Sequence, residues 1–492
     1  MSTPVPPFAR LPVLLVGGAS AVLLILTSGG YGSAGDELYF VVAGRHPAWS
    51  YADQPPLVPL LARLMTSVDA ESWVVLRLPV SLAIPSAAVV TALLTREFGG
   101  GARSQVLAAG VFLLSPHVLS DSHTLTKAPL GLALSTVSVW LLVRWARTGD
   151  DRLWPAIGVA VALALQANSV FAAFWVIVVA VLAVIGPRKA FRSPWLWAGA
   201  ATPVLTAVPG LVWQAAHGWP QLGMAGAISA EGSAVGGPLL FVPLVLATAG
   251  VVGAVLLVVG LRWLVRGDHP YRFIGYAVVV LALAVWSAGG RRDYLADSAF
   301  AVCWAAAVAE VGRGGAAAWW RWVPTWPVLA LTAAFLVRGI VPVGVDWTGG
   351  ADRYFVVLHD KDWRGMAAAV AEAYRTAPPG PKALIAGDYR RAAALDRYRT
   401  EFSLPPVYGD MRGYWHFGRP PEVRTVVYVG VVPDLLRAHC GRLELLTSYR
   451  DPGADPVDNR DAVADVTLCQ DLTVPMADLW PRLYHLDNRL PG

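Results

Sequence analysis

Charged residues are scarce in this chain of 492 residues: Asp, Glu, Lys and Arg make up 15% of it, whereas a typical soluble domain contains about 25%. Hydrophobic residues make up 55%. Apolar runs long enough to cross a hydrocarbon core, which takes about 20 helical residues, recur from Leu11 to about Val343. The shortage of charge therefore excludes an ordinary soluble protein and indicates an integral membrane module followed by a more polar tail.

Several motifs that indicate other chemistry are also missing. The tail has no G-x-G-x-x-G and no P-loop, so it is assigned no nucleotide site. Neither H-E-x-x-H nor C-x-x-C occurs, which removes the usual zinc patterns. Asp36, Glu37 and Asp53 could gather around a divalent ion, but we expect no metal and no cofactor. No basic stripe with interleaved aromatics accompanies the net charge of +5, so nucleic acid is not an expected partner.

The first apolar run, residues 11–28, lacks a convincing A-x-A cleavage site and is followed by many further spans, so we interpret it as a retained span. Cysteines number only 3. Cys303 falls inside a predicted span, whereas Cys440 and Cys469 lie in the tail. The two tail cysteines could form a disulfide if the tail is extracytoplasmic, but sequence alone leaves the pairing open.

The apolar runs predict a polytopic α-helical protein with about eleven transmembrane helices. Their approximate positions are 11–28, 72–94, 104–119, 126–145, 153–167, 169–186, 195–216, 238–261, 273–289, 294–311 and 322–343. Alternate loops hold the basic residues: Arg96 and Arg103; Arg144, Arg147 and Arg152; Arg188, Lys189 and Arg192; Arg262, Arg266 and Arg272; Arg313 and Arg321. The positive-inside rule makes those loops cytoplasmic, so the opening stretch and the tail face outward.

The tail alternates helical and strand patterns. DWRGMAAAVAEAYRTA and YRRAAALDRYRTEF have a helical period, and KALIAG and VRTVVYVG have the composition of strands. We therefore predict two domains: a transmembrane module over residues 1–344 and a small extracytoplasmic α/β domain over residues 345–492.

The stretch GDELYFVVAGRHPAWSYADQPPLVPLL, residues 35–61, concentrates polar residues beside the first span. Asp36 could serve as a general base, or the Asp36–Glu37 pair could cap the helix that follows, where acids are favoured. Trp49 and Tyr51 could stack on a sugar or lie at the membrane interface, and Asp53 and Gln54 supply hydrogen-bonding groups.

One outward loop breaks the charge rule. Gly289-Gly290-Arg291-Arg292-Asp293-Tyr294 places two arginines where cations are depleted, which calls for an anionic partner or for snorkelling to lipid headgroups.

Together, DELYF, YADQPPLVPLL, RSPWLWAGA, VPGLVWQAAHGWPQL, PYRFIGYA, GGRRDYLA and the tail pattern AAALDRY…LPPVYGDMRGYW resemble the GT-C membrane glycosyltransferases of family 39. That group contains protein O-mannosyltransferases and the bacterial transferases that add aminoarabinose to lipid A. The resemblance extends over nearly the whole chain and implies an inverting glycosyltransferase at the outer face of the cytoplasmic membrane. It implies a polyprenyl-phosphate sugar as donor, and a glycan, lipid or protein hydroxyl of the envelope as acceptor.

The resemblance also implies roles for individual residues. Asp36, with Glu37 beside it, matches the position of the base that activates the acceptor hydroxyl. Arg291 and Arg292 match the basic position of their loop, and a guanidinium can bind phosphate oxygens bidentately. Trp49, Tyr51, Asp53, Gln54 and Tyr294 are the expected substrate-binding residues.

Some positions depart from the family. Where relatives often carry an Asp, this chain reads Thr124-Leu125-Thr126-Lys127, and Lys127 could contact the donor phosphate or snorkel. Between the fifth and sixth predicted spans this chain reads Ala167-Asn168-Ser169, where relatives often show Asn-Lys-His. Two other classes of function stay open: a glycolipid transporter or flippase, which predicts ionisable residues in the middle of spans, and a non-catalytic relative that binds lipid.

Overall fold

A computed structural model describes residues 5–30, 32–234, 237–288, 293–314, 323, 325–340, 362–452 and 463–487. The chain divides into two compact units. The first unit comprises Met1–Tyr31, Asp69–Val212 and Gly232–Leu358. The second unit comprises Gly32–Val68, Trp213–Glu231 and His359–Gly492, so it is assembled from three separate stretches of sequence.

Most of the described residues before position 341 are helical. The helices are α1 Arg10–Ser28, α2 Gly35–Arg45, α3 Leu57–Val68, α4 Trp73–Glu97, α5 Ala102–Leu113, α6 Pro116–Asp121, α7 Lys127–Thr148, α8 Trp154–Ala167, α9 Phe171–Ile185, α10 Pro194–Ala216, α11 Pro220–Ala234, α12 Gly237–Arg266, α13 Arg272–Ser287, α14 Asp293–Gly312 and α15 Trp326–Ile340. Short 3₁₀ helices cover Asp151–Leu153 and Arg188–Arg192.

Each predicted span overlaps a described helix, and parts of the spans predicted over 273–289 and 322–343 lie outside the described residues. Among the described residues, 5 helices are long and apolar enough to cross a membrane: α1, α4, α7, α10 and α12. Shorter apolar helices include α5, α9 and α13, and the total of eleven crossings stays a prediction. One boundary differs, because the span predicted over 104–119 is interrupted. Helix α5 ends at Leu113 and a new helix begins at Pro116, since proline disfavours a helical residue before it and has no N–H to donate.

Glycine allows the helices of the first unit to pack at backbone distance. A Cβ on Gly260 of α12 would clash with the carbonyl oxygen of Cys303 in α14. A Cβ on Gly158 of α8 would clash likewise with the backbone of Gly199 in α10. At both places the approach of two helices is set by the absence of a side chain.

The second unit contains a five-stranded sheet with helices around it. Beyond α2, α3 and α11, its helices are α16 Trp363–Thr376, α17 Tyr389–Arg397, α18 Asp434–Ala438 and α19 Met476–Leu483, with a 3₁₀ helix at Arg412–Phe417. Its strands are β1 Ala383–Ala386, β2 Val407–Gly409, β3 Val426–Val429, β4 Arg442–Arg450 and β5 Val463–Gln470. The predicted helices and strands of the tail are confirmed, except that α17 ends at Arg397, short of the predicted run.

The strand order is β2-β1-β3-β5-β4. Strands β1, β2 and β3 are parallel, whereas β5 runs antiparallel to both β3 and β4. All four residues of β1 and of β3 are buried, as expected for parallel strands covered on both faces. Cys440 and Cys469 form a disulfide, with Cα atoms 5.5 Å apart, which answers the pairing that sequence left open.

The described second unit also includes α2 and α3 from the stretch beside the first span, which the sequence assigned to the transmembrane module. The predicted boundary at residues 344 and 345 lies outside the described residues.

Candidate functional site in the second unit

The three parallel strands of the second unit end at one edge of the sheet. The segment that follows β1 contains Asp388, Tyr389 and Arg390, and the segment that follows β2 contains Asp410 and Arg412. In open α/β sheets, the carboxyl ends of parallel strands are where ligands bind. This edge therefore collects the polar side chains from which the site is built.

Helix α17 begins at this edge with a firm cap. The Asp388 carboxylate is the N-cap and accepts hydrogen bonds from the backbone N–H groups of Arg390 (2.8 Å) and Arg391 (3.2 Å). Such a cap typically contributes about 1 kcal/mol. It fixes the first turn of α17, and with it the directions of the Tyr389 and Arg390 side chains.

Helix α2 brings Asp36 to that first turn. The Asp36 Oδ1 atom accepts a hydrogen bond from the Tyr389 hydroxyl at 2.8 Å and another from Arg390 Nε at 2.8 Å. Gly35 allows this approach, because a Cβ there would lie 2.7 Å from the Arg390 Cβ. Ala34 is the N-cap of α2 and makes no side-chain cap bond. The Asp36 side chain is 43% exposed, so the carboxylate is both oriented and accessible.

Tyr389 is itself held in place. Its hydroxyl accepts a hydrogen bond from an Arg412 guanidinium nitrogen at 3.3 Å, and that guanidinium lies 5.0 Å from the centre of its ring. Burial raises the pKa of Tyr389 well above its ordinary value, against a smaller lowering by Arg390. The phenol therefore stays protonated and serves as a permanent donor to Asp36.

Arg412 is positioned by backbone groups near the end of the described chain. Its φ of 51° lies in the left-handed region, which costs a non-glycine residue about 1 kcal/mol. The Arg412 N–H donates to the carbonyl oxygen of His485 at 2.9 Å, and its Nε donates to that of Leu486 at 2.9 Å. These bonds offset the strain and hold the guanidinium over Tyr389.

The loop between α2 and α3 adds a second tyrosine–aspartate contact. The Tyr39 hydroxyl donates to Asp53 Oδ1 at 2.8 Å. Burial, followed by the charge of Asp53, raises the pKa of Tyr39 well above its ordinary value. The Tyr39 and Tyr389 rings meet edge-on with centroids 5.0 Å apart. A Cβ on Gly413 would clash with the Tyr39 hydroxyl, so the backbone after Arg412 closes over this pair.

The predicted substrate-binding residues of this loop occupy different environments. The Trp49 side chain is 69% exposed. Tyr51 is buried, and its hydroxyl donates to the carbonyl oxygens of Ala43 (3.0 Å) and His46 (3.1 Å). Tyr51 therefore stabilises the loop, whereas the Trp49 ring is available to a ligand.

Two glutamines, one in the last turn of α10 and one in the first turn of α11, hold the same loop. Gln214 Nε2 donates to Ser50 Oγ and to the Tyr51 carbonyl oxygen, both at 2.9 Å, and Gln221 Nε2 donates to Ser50 Oγ at 3.1 Å. Gln54 is buried, and its Nε2 has no hydrogen-bond partner among the described residues.

The remaining predicted site residues are not brought into this group by the described structure. Glu37 is fully buried in α2, so Asp36 is the accessible member of the acid pair. Lys127 is the first residue of α7, in the first unit. Arg291, Arg292 and the side chain of Tyr294 lie outside the described residues. Within the described ranges, no group of three or more His, Cys, Asp or Glu residues could hold a metal ion.

Sequence reasoning missed Tyr39, Tyr389, Arg390 and Arg412 as members of the site. YRRAAALDRY was interpreted only as a helix, and GDMRGYW only as a family pattern. A signal was available for Tyr389 and Arg390, which follow the predicted strand KALIAG, and Arg412 follows β2, which was not predicted. Tyr39 lies inside α2 and had no such signal.

These observations describe a multi-pass membrane protein whose second unit holds an accessible carboxylate with two fixed hydrogen-bond donors. The family model described as dolichyl-phosphate-mannose-protein mannosyltransferase matches residues 53–213, about a third of the chain. No curated protein sequence shows significant similarity to the chain.

Solved structures identify the fold. ArnT from Cupriavidus metallidurans in the apo state gives a TM-score of 0.58 at 15% identity, with 92% of this chain and 97% of that chain covered. The same protein bound to undecaprenyl phosphate gives 0.57 at 14% identity, with the same coverage. Arabinofuranosyltransferase AftD from Mycobacteria gives 0.51 at 17% identity, with 94% of this chain and 40% of that chain covered. The predicted resemblance to GT-C glycosyltransferases is confirmed at the level of fold.

Proposed function

We propose that this chain is an inverting glycosyltransferase that moves a sugar from a polyprenyl-phosphate donor to a hydroxyl group of a cell-envelope glycan, lipid or protein. The observation that carries the proposal is the Asp36 carboxylate, accessible yet fixed by Tyr389 and Arg390 through one oxygen atom. The fold shared with ArnT, which has been solved with undecaprenyl phosphate, supports a lipid-phosphate donor.

In the proposed reaction, the acceptor oxygen attacks the anomeric carbon from the face opposite the phosphate. The C–O bond to phosphate breaks, the bonding electron pair leaves with the phosphate, and the acceptor proton passes to Asp36. Phosphate is a good leaving group, so the second carboxylate with which glycosidases protonate a sugar oxygen is unnecessary. Asp36 needs only to be ionised and correctly aimed, and the Arg390 guanidinium at 2.8 Å stabilises its charged form.

The other predicted residues complete the proposal. Arg291 and Arg292, with Lys127, would bind the donor phosphate, where cations stabilise the charge that develops. The exposed Trp49 ring would stack on a sugar, and Tyr51, Asp53, Gln54 and Tyr294 would bind or frame the substrate. Glu37, buried in the first turn of α2, would assist Asp36 as the second member of the acid pair.

We place the second unit on the outer face of the cytoplasmic membrane. The positive-inside pattern of the loops supports this orientation. The Cys440–Cys469 disulfide supports it independently, because such bonds persist in oxidising compartments and are rare in the cytosol.

The test is transfer in proteoliposomes with radiolabelled polyprenyl-phosphate mannose or arabinose and total envelope acceptors. Asp36→Asn preserves shape but removes the base, so transfer should fall by about 10²- to 10⁴-fold while donor binding is kept. Asp434→Asn, at an exposed aspartate of the same unit, is the matched control and should keep full activity. Normal transfer by Asp36→Asn would refute the base assignment. A wild-type protein that moves lipid across the bilayer without transferring sugar would favour a transporter.

A further inference from the structure

A large cavity of about 1080 Å³ opens in the first unit, and its lining includes none of the residues assigned to transfer. It is lined by the last turns of α7 and α9, the segment after α9 and the first residues of α13. These elements lie at the face where the basic loops accumulate, which the charge rule makes cytoplasmic. A ligand of the inner leaflet could reach this cavity from the bilayer.

The polar part of the cavity carries charges of both signs in equal number. Lys189 and Arg272 supply two cations, and Asp151 and Asp268 supply two carboxylates. Within the part of the chain that the structure describes, no ion pair joins these four side chains. Lys189, Asp268 and Arg272 are exposed. The cavity therefore presents separated positive and negative groups to a ligand instead of neutralising them internally.

Trp145 and His269 also belong to the polar part of the cavity lining. The Trp145 indole N–H donates to Asp151 Oδ1 at 2.9 Å, so this carboxylate has a set direction. Burial lowers the pKa of His269 from its ordinary value, which keeps the imidazole neutral near pH 7. The charge balance at the cavity is therefore two positive and two negative groups.

The remaining lining of the cavity is largely apolar and includes residues that are exposed on the helix surfaces. Val184 and Ile185 of α9 and Val280 of α13 line the cavity and are 68%, 50% and 42% exposed. Farther along the same helices, Val176 and Leu283 are also exposed. An acyl chain that begins at the cavity can therefore follow an unbroken apolar surface into the hydrocarbon core.

We propose that this cavity binds the headgroup of a zwitterionic glycerophospholipid that carries a primary ammonium group, of the phosphatidylethanolamine type. Lys189 and Arg272 contact the phosphate, since basic pockets between helices bind lipid phosphates. Asp151 and Asp268 accept hydrogen bonds from the ammonium group. A singly anionic headgroup without an ammonium group would give the two carboxylates no cationic partner. The apolar lining selects a lipid over a soluble phosphate ester.

The test is native mass spectrometry of the purified full-length protein, titrated separately with phosphatidylethanolamine, phosphatidylglycerol and phosphatidylcholine of matched acyl chains. Lys189→Ala/Arg272→Ala should weaken phosphatidylethanolamine binding about 25-fold, or about fivefold for each cation. Asp268→Asn should weaken phosphatidylethanolamine about fivefold and leave phosphatidylglycerol unchanged or improved. Arg266→Ala is the matched control, because Arg266 ends α12 nearby, is exposed and does not line the cavity.

Preference for phosphatidylethanolamine, lost in the cavity variants and kept in Arg266→Ala, supports the site. Three results would overturn it: preference for phosphatidylglycerol, an equal loss in Arg266→Ala, or equally tight binding of soluble phosphoethanolamine. Because Asp36 and its neighbours have no part in this cavity, sugar transfer can fail or succeed without changing the outcome.

Discussion

In the first unit, α12 and α14 approach so closely that Gly260 has no room for a side chain beside Cys303, whereas in the second unit α2 and α17 are joined through Asp36, Tyr389 and Arg390. The first contact depends on shape and the second on hydrogen bonds between side chains from segments about 350 residues apart. Close packing of backbone against backbone leaves no room for added volume. A polar network withstands small changes of volume but no loss of a partner. The two units should therefore fail under different substitutions.

The largest expected effect is loss of the disulfide in the second unit. Cys440→Ser/Cys469→Ser removes a cross-link that spans 29 residues, and the chain-entropy relation gives a destabilisation of about 3 to 4 kcal/mol. Hydrogen exchange of peptides from β3, β5 and α19 should show earlier opening of the second unit alone.

Cys303→Ser is the control for this prediction, because Cys303 is a buried free cysteine of α14 in the first unit. It should leave exchange in the second unit unchanged. Equal loss of protection in both units after disulfide removal would mean that the disulfide does not stabilise the second unit separately from the first.

The next effect concerns pH. Asp410 is fully buried and accepts a hydrogen bond from Tyr428 at 2.8 Å, and burial raises its pKa from 3.8 to about 6, with His485 and Tyr428 opposing and Asp388 reinforcing the shift. The folded state therefore binds more protons than the unfolded state between pH 4 and 6, so stability falls as pH rises through this window. About 2 pKa units correspond to roughly 3 kcal/mol.

Denaturant unfolding of the second unit, followed by hydrogen exchange from pH 4 to 7, measures this slope. Asp410→Asn cannot ionise and should flatten it, while its side-chain oxygen can still accept from Tyr428. An unchanged slope in Asp410→Asn would assign the pH dependence to another group.

A single methyl group tests the close packing of the first unit. Gly260→Ala places a Cβ against the backbone of α14 and should destabilise that unit by about 1 to 3 kcal/mol, the usual cost of overpacking. The midpoint of thermal unfolding in detergent measures the change. Gly18→Ala in α1 is the control, because nothing lies within 4 Å of its Cβ, and alanine should stabilise a helix there by up to about 1 kcal/mol. Destabilisation by both variants alike would argue against a specific close contact.

The smallest expected effect concerns the hydrogen bond from Tyr389 to Asp36. Tyr389→Phe removes one donor to Asp36 and should lower kcat about tenfold, equivalent to about 1.4 kcal/mol, with the donor KM little changed. Tyr449→Phe is matched to it, since Tyr449 donates to Asp362 at 2.6 Å elsewhere in the same unit. A similar fall in both variants would point to general destabilisation, whereas a fall confined to Tyr389→Phe identifies a positioning residue.

Local sequence patterns predicted the helices well, because apolar periodicity and helix caps depend on residues that are neighbours in the sequence. The strands KALIAG and VRTVVYVG were found for the same reason. Strands β2, β4 and β5 were not predicted: β2 has only three residues, and the residues of β4 are largely exposed. Asp36 was singled out from the acid pair at the start of α2 and from the family resemblance, and its role stays a prediction. Its partners Tyr389 and Arg390 were not singled out, since only tertiary structure brings α17 to α2. Arg412 was hidden further, because its role depends on the backbone carbonyl groups of His485 and Leu486.

The interleaved composition of the second unit has a consequence for biosynthesis. Asp36 emerges from the ribosome early, yet Tyr389 and Arg390 follow hundreds of residues later, and the carbonyl groups that hold Arg412 come after β5. Because chains fold largely in the order of their synthesis, the first-made segment must wait for the last-made ones. The nascent protein thus carries Asp36 without its hydrogen-bond partners until translation has passed residue 486, so the second unit can be completed only after the helices encoded between its three stretches have been made.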